Sequence, residues 1–167
     1  MLQMLFSKIK IKKSDTYSLL LILLTFLIDR FSKAYVIDLI RYNEKEIYIN
    51  DFLNITLTWN TGIGFGLFSM TAGITYHVIS ALILLIIIYL IYLMVKGDDP
   101  AKFIFGLIIG GAAGKLFDRL TYFGVPDFID FHFNNYHWFT FNFADIFITV
   151  GIIGLISIEL LKREKIS

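Results

Sequence analysis

The chain has 167 residues, of which 57% are hydrophobic and only 17% are charged. Soluble domains carry about 25% charged residues, and here no Asp, Glu, Lys or Arg occurs from Phe52 through Val95. A water-soluble fold of this length cannot hide such a segment, so the bilayer is expected to be the solvent of this chain. The sequence contains no cysteine, which excludes disulfides, thiolate metal sites and a cysteine nucleophile.

Long apolar segments predict an all-α membrane protein with four transmembrane helices in a single domain of residues 1–167. The predicted spans are about 17–36, 74–95, 102–117 and 139–161. Two outward segments, about 37–73 and 118–138, connect them. The first apolar run ends without a small-x-small cleavage site, so it is interpreted as a retained helix and not as a signal peptide.

Basic residues cluster at both ends of the chain and between the second and third spans. They are Lys8, Lys10, Lys12, Lys13, Lys96, Lys102, Lys162, Arg163 and Lys165. With four spans, all nine lie on one side of the membrane, and the positive-inside rule assigns that side to the cytoplasm. Both termini are therefore predicted to be cytoplasmic, and the two longer segments face outward.

The first outward segment has the pattern of a half-buried strand. Apolar and polar residues alternate from Leu53 to Trp59, which is the period of two expected for a strand. Glycines in residues 60–66 then predict turns or a close backbone approach. An exposed sheet edge cannot lie in hydrocarbon, so we expect a small outward-facing β-sheet on the membrane surface.

Glycines recur every four residues in the third span, at Gly106, Gly110 and Gly114. Small residues at this spacing let helix backbones approach closely. The stripe is interpreted as a packing face within the helix bundle, in preference to a dimerisation face, and a monomer is expected.

Asp145 is the most informative residue of the sequence. It lies about six residues into the fourth predicted span, roughly 9 Å along a helix that rises 1.5 Å per residue. An ionisable group at that depth costs on the order of 3 kcal/mol, so a functional role is the first hypothesis. A structural hydrogen bond to another span is the alternative. Because this span enters from outside, Asp145 is expected near the outer face.

A second carboxylate is expected at the same depth. Asp127 precedes the fourth span by about a dozen residues, although the spacing alone equally allows Asp118 or Asp130 as the partner of Asp145. Two close carboxylates share one proton. The ionised member can then activate water while the protonated member polarises a peptide carbonyl. The protonation belongs to the pair, so the sequence assigns neither role to one residue.

The remaining polar residues give weaker signals. His77, His132 and His137 have no helical metal spacing together and are interpreted as interfacial or packing residues, so no metal and no cofactor are expected.

Two further features concern charges near the ends of helices. Asp29 and Lys33 form an i, i+4 pair that is interpreted as structural. Arg119 can donate two hydrogen bonds in parallel, and the sequence leaves open whether it binds substrate or holds Asp118.

Six blocks of sequence, taken together, resemble the lipoprotein signal peptidase (signal peptidase II) family. In chain order they are residues 29–33, 53–56, 60–66, 110–119, 125–130 and 141–145. Each block alone is a weak match, but the blocks occur in the order found in the family and are specific when taken together. They cover most of the chain from about 29 to 151.

The resemblance implies an aspartic endopeptidase of the bacterial cytoplasmic membrane with its active site at the outer face. Members of the family cut prolipoproteins on the amino side of a diacylglyceryl-modified cysteine, so the implied partners are this substrate and membrane lipids, without nucleic acid. The catalytic pair of the family falls on Asp127 and Asp145, and Asp29 with Lys33 matches a structural pair. The positions implied to bind substrate or support the pair are Asn54, Asn60, Lys115, Arg119 and Asn142.

Lys115 departs from the family, which usually has asparagine at this position. The change replaces an amide, which both donates and accepts, with a cation that only donates. The change argues against a direct substrate hydrogen bond at this position, but not against Asp127 and Asp145 as the pair.

Three other classes of membrane protein fit less well. A proton-coupled transporter predicts ionisable residues through the membrane depth, whereas here they collect at the outer ends of the spans. A scaffold without enzymatic activity leaves Asp145 unexplained. A protease of the presenilin type carries a Gly-x-Gly-Asp signature that this sequence lacks.

Overall fold

The computed structural model describes residues 12–42, 46–62, 73–134 and 136–164. These residues form four long helices and a four-stranded sheet. In chain order the elements are α1 (Lys13–Tyr42), β1 (Glu46–Asn50), β2 (Leu53–Asn60), α2 (Ile74–Lys96), α3 (Asp99–Tyr122), β3 (Val125–Phe133), β4 (Tyr136–Phe141) and α4 (Phe143–Glu164). Residues 63–66 of the predicted glycine-rich turn, and the lysines of the amino end before residue 12, lie outside the described residues.

The sheet is antiparallel throughout, with strand order β1-β2-β3-β4. The strand predicted over residues 53–59 is confirmed as β2. The second outward segment, about 118–138, contributes β3, and β4 extends from it into the region assigned to the fourth span. A turn at Asn134, whose φ of 52° is in the left-handed region that Asn tolerates, joins β3 to β4.

Helix α3 packs against the three other helices, and its glycines make two of these contacts possible. A Cβ atom on Gly110 would lie 2.7 Å from the carbonyl oxygen of Ile22 in α1. A Cβ atom on Gly111 would lie 2.8 Å from the carbonyl oxygen of Ala144 in α4. Such contacts are too close for any side chain, so the glycine stripe is confirmed as a packing face within the chain.

Three of the described helices are long and apolar enough to cross a membrane: α2 from Tyr76, α3 and α4. Helix α1 has 30 residues, but Asp15, Asp29, Arg30 and Lys33 leave no 18-residue stretch with two or fewer charges. The prediction of four spans is therefore confirmed for three helices. For α1 it stays a prediction.

The third helix is longer than the predicted span of 102–117. It begins after Asp98, whose side chain accepts a hydrogen bond of 3.2 Å from the backbone N–H of Ala101, an N-cap that satisfies one of the free N–H groups of the first turn. The helix continues to Tyr122 and ends at Phe123, which has a left-handed backbone.

The fourth helix begins at Phe143, so the predicted start at residue 139 is wrong. Residues 139–141 belong to β4, where they pair with β3, and Asn142 caps the helix. Asp145 is consequently the third residue of α4 and lies in its first turn, not six residues deep.

Ion pairs show how the helix ends are arranged. Lys102 at the start of α3 pairs with Asp15 at the start of α1, and Lys162 near the end of α4 pairs with Asp98 at 2.6 Å. The start of α1, the turn between α2 and α3, and the end of α4 therefore lie at one end of the bundle. The sheet and Asp145 lie at the other.

Candidate active site

Asp127 lies on β3 and is 2% exposed. Each of its carboxylate oxygens accepts a hydrogen bond from a side-chain amide: Oδ2 from Asn60 at 3.0 Å and Oδ1 from Asn142 at 2.5 Å. Asn60 is the last residue of β2, and Asn142 follows β4. The sheet therefore positions this carboxylate from both sides, and its surroundings are those of a buried acid held by neutral donors.

Burial raises the pKa of Asp127 above its ordinary value, because desolvation disfavours the charged carboxylate. The charge of Lys115 and the amide donors act in the opposite direction, whereas the nearby Asp145 adds to the rise. The net direction is upward, so Asp127 retains a proton more readily than an exposed aspartate.

Asn142 connects Asp127 to Asp145. The backbone N–H of Asp145 donates to Asn142 Oδ1 at 3.2 Å, and the backbone N–H of Asn142 donates to Asp145 Oδ2 at 3.2 Å. This reciprocal arrangement is a capping box at the start of α4. Because the amide nitrogen of Asn142 also donates to Asp127, one side chain fixes both aspartates.

Lys115 is the cation of the site. Its Nζ lies 2.9 Å from Asp145 Oδ1, and the two side chains are 16% and 21% exposed. Asp145 also lies in the first turn of α4, where the helix dipole favours a negative charge. Asp145 therefore lies between a cation and the positive end of a helix dipole.

A cavity of about 230 Å³ adjoins these side chains. It is lined by Asn60, Gly62, Ile83, Lys115, Arg119, Val125, Asp145 and Ile148. The lining joins residues of β2, α2, α3, β3 and α4 in one space beside Asp145.

Arg119 lies beside this cavity and is almost fully buried. Its Nη1 donates to the carbonyl oxygen of Gly62 at 2.7 Å, its Nε donates to Ser80 Oγ at 3.1 Å, and its guanidinium lies 4.0 Å from the centre of the Tyr76 ring. Its Nη2 is buried without a hydrogen-bond partner among the described residues. The guanidinium thus joins α2 and α3 to the end of β2 and keeps one donor free.

A second, apolar cleft of about 300 Å³ lies on the other side of Asp145. It is lined by Phe139, Phe141, Asp145, Ile146, Thr149 and Val150. Except for Asp145 and Thr149, all of these side chains are hydrocarbon or aromatic, so the cleft offers an apolar surface directly next to a carboxylate.

A separate ionic network lies between α1 and α3. Lys33 Nζ lies 2.6 Å from Asp29 Oδ2 and 2.7 Å from Asp118 Oδ2, and Arg30 Nη1 lies 2.5 Å from Asp118 Oδ1. Asp29 Oδ1 also accepts a hydrogen bond of 3.0 Å from the backbone N–H of Ala144. The Asp29–Lys33 pair expected from the sequence is therefore present, within a larger network that reaches the residue before Asp145.

The two alternative partners of Asp145 lie in other surroundings. Asp118 is engaged by Lys33 and Arg30. Asp130 lies further along β3, where its carboxylate contacts His137 at 2.7 Å. Asn54 lies opposite Asp130 in the sheet and donates from its amide to Glu46, away from the residues that hold Asp127.

Ser80 and Tyr76 contact Arg119 and were not singled out from the sequence. Both lie on α2, and the Tyr76 hydroxyl donates to the carbonyl oxygen of Arg119 at 3.0 Å. The signal that was available is a serine and a tyrosine four residues apart at the start of an apolar span. Only the packing of α2 against α3 shows which cation they hold.

Comparisons of the sequence with known proteins find similarity to lipoprotein signal peptidases. A family model described as signal peptidase II matches residues 21–161. The chain is 48% identical over 158 residues to the lipoprotein signal peptidase of Pelagibacter ubique (strain HTCC1062), covering 93% of this chain and 95% of that protein. It is 37% identical over 143 residues to the lipoprotein signal peptidase of Anaplasma phagocytophilum (strain HZ), covering 84% and 89%.

The fold is also similar to a bacterial membrane enzyme structure determined by the in meso method at 1.9 Å resolution. The TM-score is 0.71 at 30% sequence identity, and the match covers 88% of this chain and 94% of that chain.

Proposed function

The chain belongs to the signal peptidase II family and is a membrane aspartic peptidase, and from that premise we propose that it removes signal peptides from prolipoproteins. The bond cut is the one on the amino side of a diacylglyceryl-modified cysteine. The names of the relatives support the substrate class. The apolar cleft and the polar cavity on either side of Asp145 support a substrate that is part lipid and part peptide.

Asp127 and Asp145 are the catalytic pair. The observation that carries this proposal is the double role of Asn142. Its side-chain amide nitrogen donates to Asp127, while its backbone N–H donates to the carboxylate of Asp145 and its Oδ1 accepts from the backbone N–H of Asp145. Holding two acids through one small side chain fixes their relative geometry, and fixed geometry supplies much of the rate in hydrolysis.

The pair shares one proton, and in this mechanism Asp127 acts as the acid and Asp145 as the base. Lys115 and the helix N-terminus stabilise the negative charge of Asp145, whereas burial favours the protonated form of Asp127. Asp145 then takes a proton from water, and the water oxygen attacks the carbonyl carbon of the peptide bond. Asp127 donates its proton to the carbonyl oxygen, which gives a tetrahedral diol. Collapse of the diol breaks the C–N bond as Asp145 passes the proton taken from water to the amine nitrogen, and one hydroxyl of the diol returns a proton to Asp127.

The substrate lies across both spaces that flank Asp145. The acyl chains occupy the apolar cleft beside Ile146 and Val150, where burial of each methylene contributes about 0.8 kcal/mol. The peptide backbone occupies the cavity, where Nη2 of Arg119, which has no hydrogen-bond partner among the described residues, can donate to a peptide carbonyl. The apolar cleft then holds the hydrocarbon of the substrate, and the guanidinium of Arg119 binds its polar backbone.

In this proposal helix α1 also crosses the membrane, which brings the number of transmembrane helices to four. Its charged residues Asp29 and Lys33 are fully buried and ion-paired within the bundle, which reduces the cost of carrying them at membrane depth. The protein is then a four-span monomer of the bacterial inner membrane, with both termini cytoplasmic and the aspartate pair at the outer face.

The experiment that tests the substrate uses the full chain purified in lipid nanodiscs. It is incubated with a prolipoprotein peptide whose cysteine carries a diacylglyceryl group, and the products are identified by mass spectrometry. We expect a free signal peptide and a lipopeptide that begins with the modified cysteine. The same peptide with an unmodified cysteine should remain largely intact, so equal cleavage of both peptides, or cleavage at another bond, would contradict the proposal.

A further inference from the structure

Asp130, His132 and His137 form a cluster on the sheet that the reaction does not use. We propose that these three side chains bind a zinc ion that fastens β3 to β4. One carboxylate oxygen and one nitrogen from each ring lie within 4.8 Å of one another. The site is distinct from the aspartate pair, and its proposed role is structural.

The strand pairing explains why these residues meet. His132 on β3 is the register partner of His137 on β4, and a bulge lies at this position of the pairing. Asp130 precedes His132 by two residues, so both side chains project from the same face of β3. The two imidazole rings stack with centroids 5.2 Å apart. A hairpin therefore presents three potential ligands from a short stretch of chain.

Unpaired polar atoms mark the cluster as incomplete without a further group. Asp130 and His132 are both more than nine-tenths buried. Asp130 Oδ1 and His132 Nδ1 have no hydrogen-bond partner among the described residues. Asn54, the register partner of Asp130 on β2, also has an unpartnered buried oxygen. Buried atoms of this kind call for a bound ion or water, because leaving them unpaired is unfavourable.

The donor set suits zinc. Zinc binds imidazole nitrogen at about 2.0–2.1 Å and carboxylate oxygen at about 2.0–2.2 Å, which requires ligand atoms roughly 3.4 Å apart in a tetrahedral site. The contact of 2.7 Å between Asp130 Oδ2 and His137 Nδ1 is shorter than this, and that of 3.7 Å to His132 Nδ1 is longer. In the proposed site the first two atoms move apart and the last two move closer together when zinc binds.

An aqueous path reaches the cluster. His132 also lines a separate cavity of about 300 Å³, together with Tyr48, Asp51, Phe52, Phe133 and Asn134. His137 is on the surface, with a side chain that is 53% exposed. Zinc can therefore enter from the water side, and water can supply a fourth ligand.

The metal would not touch the reacting groups. Asp130 follows Asp127 by three residues on the same strand, so the two side chains project from opposite faces. The metal would hold β4 against β3, and β4 leads directly into Asn142 and the start of α4. Zinc binding should consequently stabilise the folded protein, while the chemistry of the aspartate pair proceeds without the metal.

The test measures zinc binding and thermal stability of the full chain, purified with an affinity tag that contains no histidine. After treatment with a chelator, the protein is titrated with zinc chloride. We expect about one zinc per chain and a rise in Tm of roughly 5–10 °C at a hundredfold excess over Kd. Cobalt chloride, used in place of zinc, should give visible absorption bands from ligand-field transitions.

Three variants determine whether the named residues are the ligands. His137→Gln alters an exposed side chain and should fold normally, and it should lose most of the zinc binding and the rise in Tm. His132→Gln tests the buried ligand. His77→Gln, at the start of α2 outside the cluster, is the matched control and should behave as wild type. The proposal is wrong if wild type binds no zinc, or if His137→Gln retains both the stoichiometry and the shift.

Discussion

Two clusters of aspartates lie a short distance apart in this protein, and they differ in how their charge is compensated. Asp29 and Asp118 have two cations, Lys33 and Arg30, in direct contact. Among the residues that the structure describes, the pair of Asp127 and Asp145 has one cation, Lys115, and the other groups that hold it are neutral amides. Full compensation of buried charge is typical of a structural ionic network, whereas partial compensation beside a cavity is typical of a carboxyl group that takes part in chemistry.

The largest expected effect on stability comes from the compensated cluster. Lys33→Met removes the cation between Asp29 and Asp118, so both carboxylates lose a partner inside the protein. We expect the free energy of unfolding to fall by about 3–5 kcal/mol, measured by denaturant unfolding in detergent. The matched control is Lys162→Met, which breaks the exposed pair with Asp98 and should leave the free energy of unfolding close to that of wild type. Equal losses in the two variants would show that the buried network has no special structural role.

Asn142→Ala tests the connection between Asp127 and Asp145. The variant removes the donor to Asp127 and the cap of α4. We expect kcat to fall on the order of 10²-fold through loss of geometry, with a loss of about 1 kcal/mol in stability from the missing cap. Both quantities can be measured on one preparation. A stability loss without a loss of kcat would leave Asn142 as a helix cap alone.

Val150→Trp tests the acyl cleft. Val150 is exposed on α4 and lines the cleft, so a larger side chain fills the cleft without disturbing the core. Excluding about two methylenes of the substrate should lower kcat/KM about tenfold, at about 0.8 kcal/mol for each methylene. Ile156→Trp, a similarly exposed position of the same helix that does not line the cleft, should have little effect. The same loss at both positions would argue against this location for the acyl chains.

Lys115→Asn should change the pH dependence more than the maximal rate. The positive charge of Lys115 lowers the pKa of Asp127, so its removal lets that pKa rise and the shared proton persist to higher pH. The alkaline limb of the plot of kcat against pH should therefore move to higher pH. Lys115→Arg keeps the charge and should retain the wild-type limb. An unchanged profile in Lys115→Asn, or a shift to lower pH, would contradict the assigned role of this lysine.

The sequence was sufficient for features that depend on local pattern. The uncharged run ending at Val95 predicts a membrane helix by composition alone, and the alternation that ends at Trp59 predicts β2 because strand residues face alternate sides. The glycines of α3 likewise signal close helix packing. Each of these features is contained within one segment of the chain.

Features that need a distant partner could not be predicted. Phe139 and Phe141 were assigned to a helix because aromatic residues suit both an apolar span and a strand, and only pairing with β3 decides between them. The pattern Asn142-x-x-Asp145 was an available signal of a helix start. The partners of Asp118 and the pairing of His132 with His137 depend on packing between segments, which no local pattern reveals.

The most direct test compares three aspartate variants in one cleavage assay, with the folded fraction measured separately for each. Asp127→Asn and Asp145→Asn should remain folded and lose cleavage of the lipid-modified prolipoprotein by on the order of 10³-fold or more. Asp51→Asn, at an exposed position between β1 and β2, should cleave like wild type. If either Asp127→Asn or Asp145→Asn is folded and cleaves at near the wild-type rate, the two residues are not a catalytic pair.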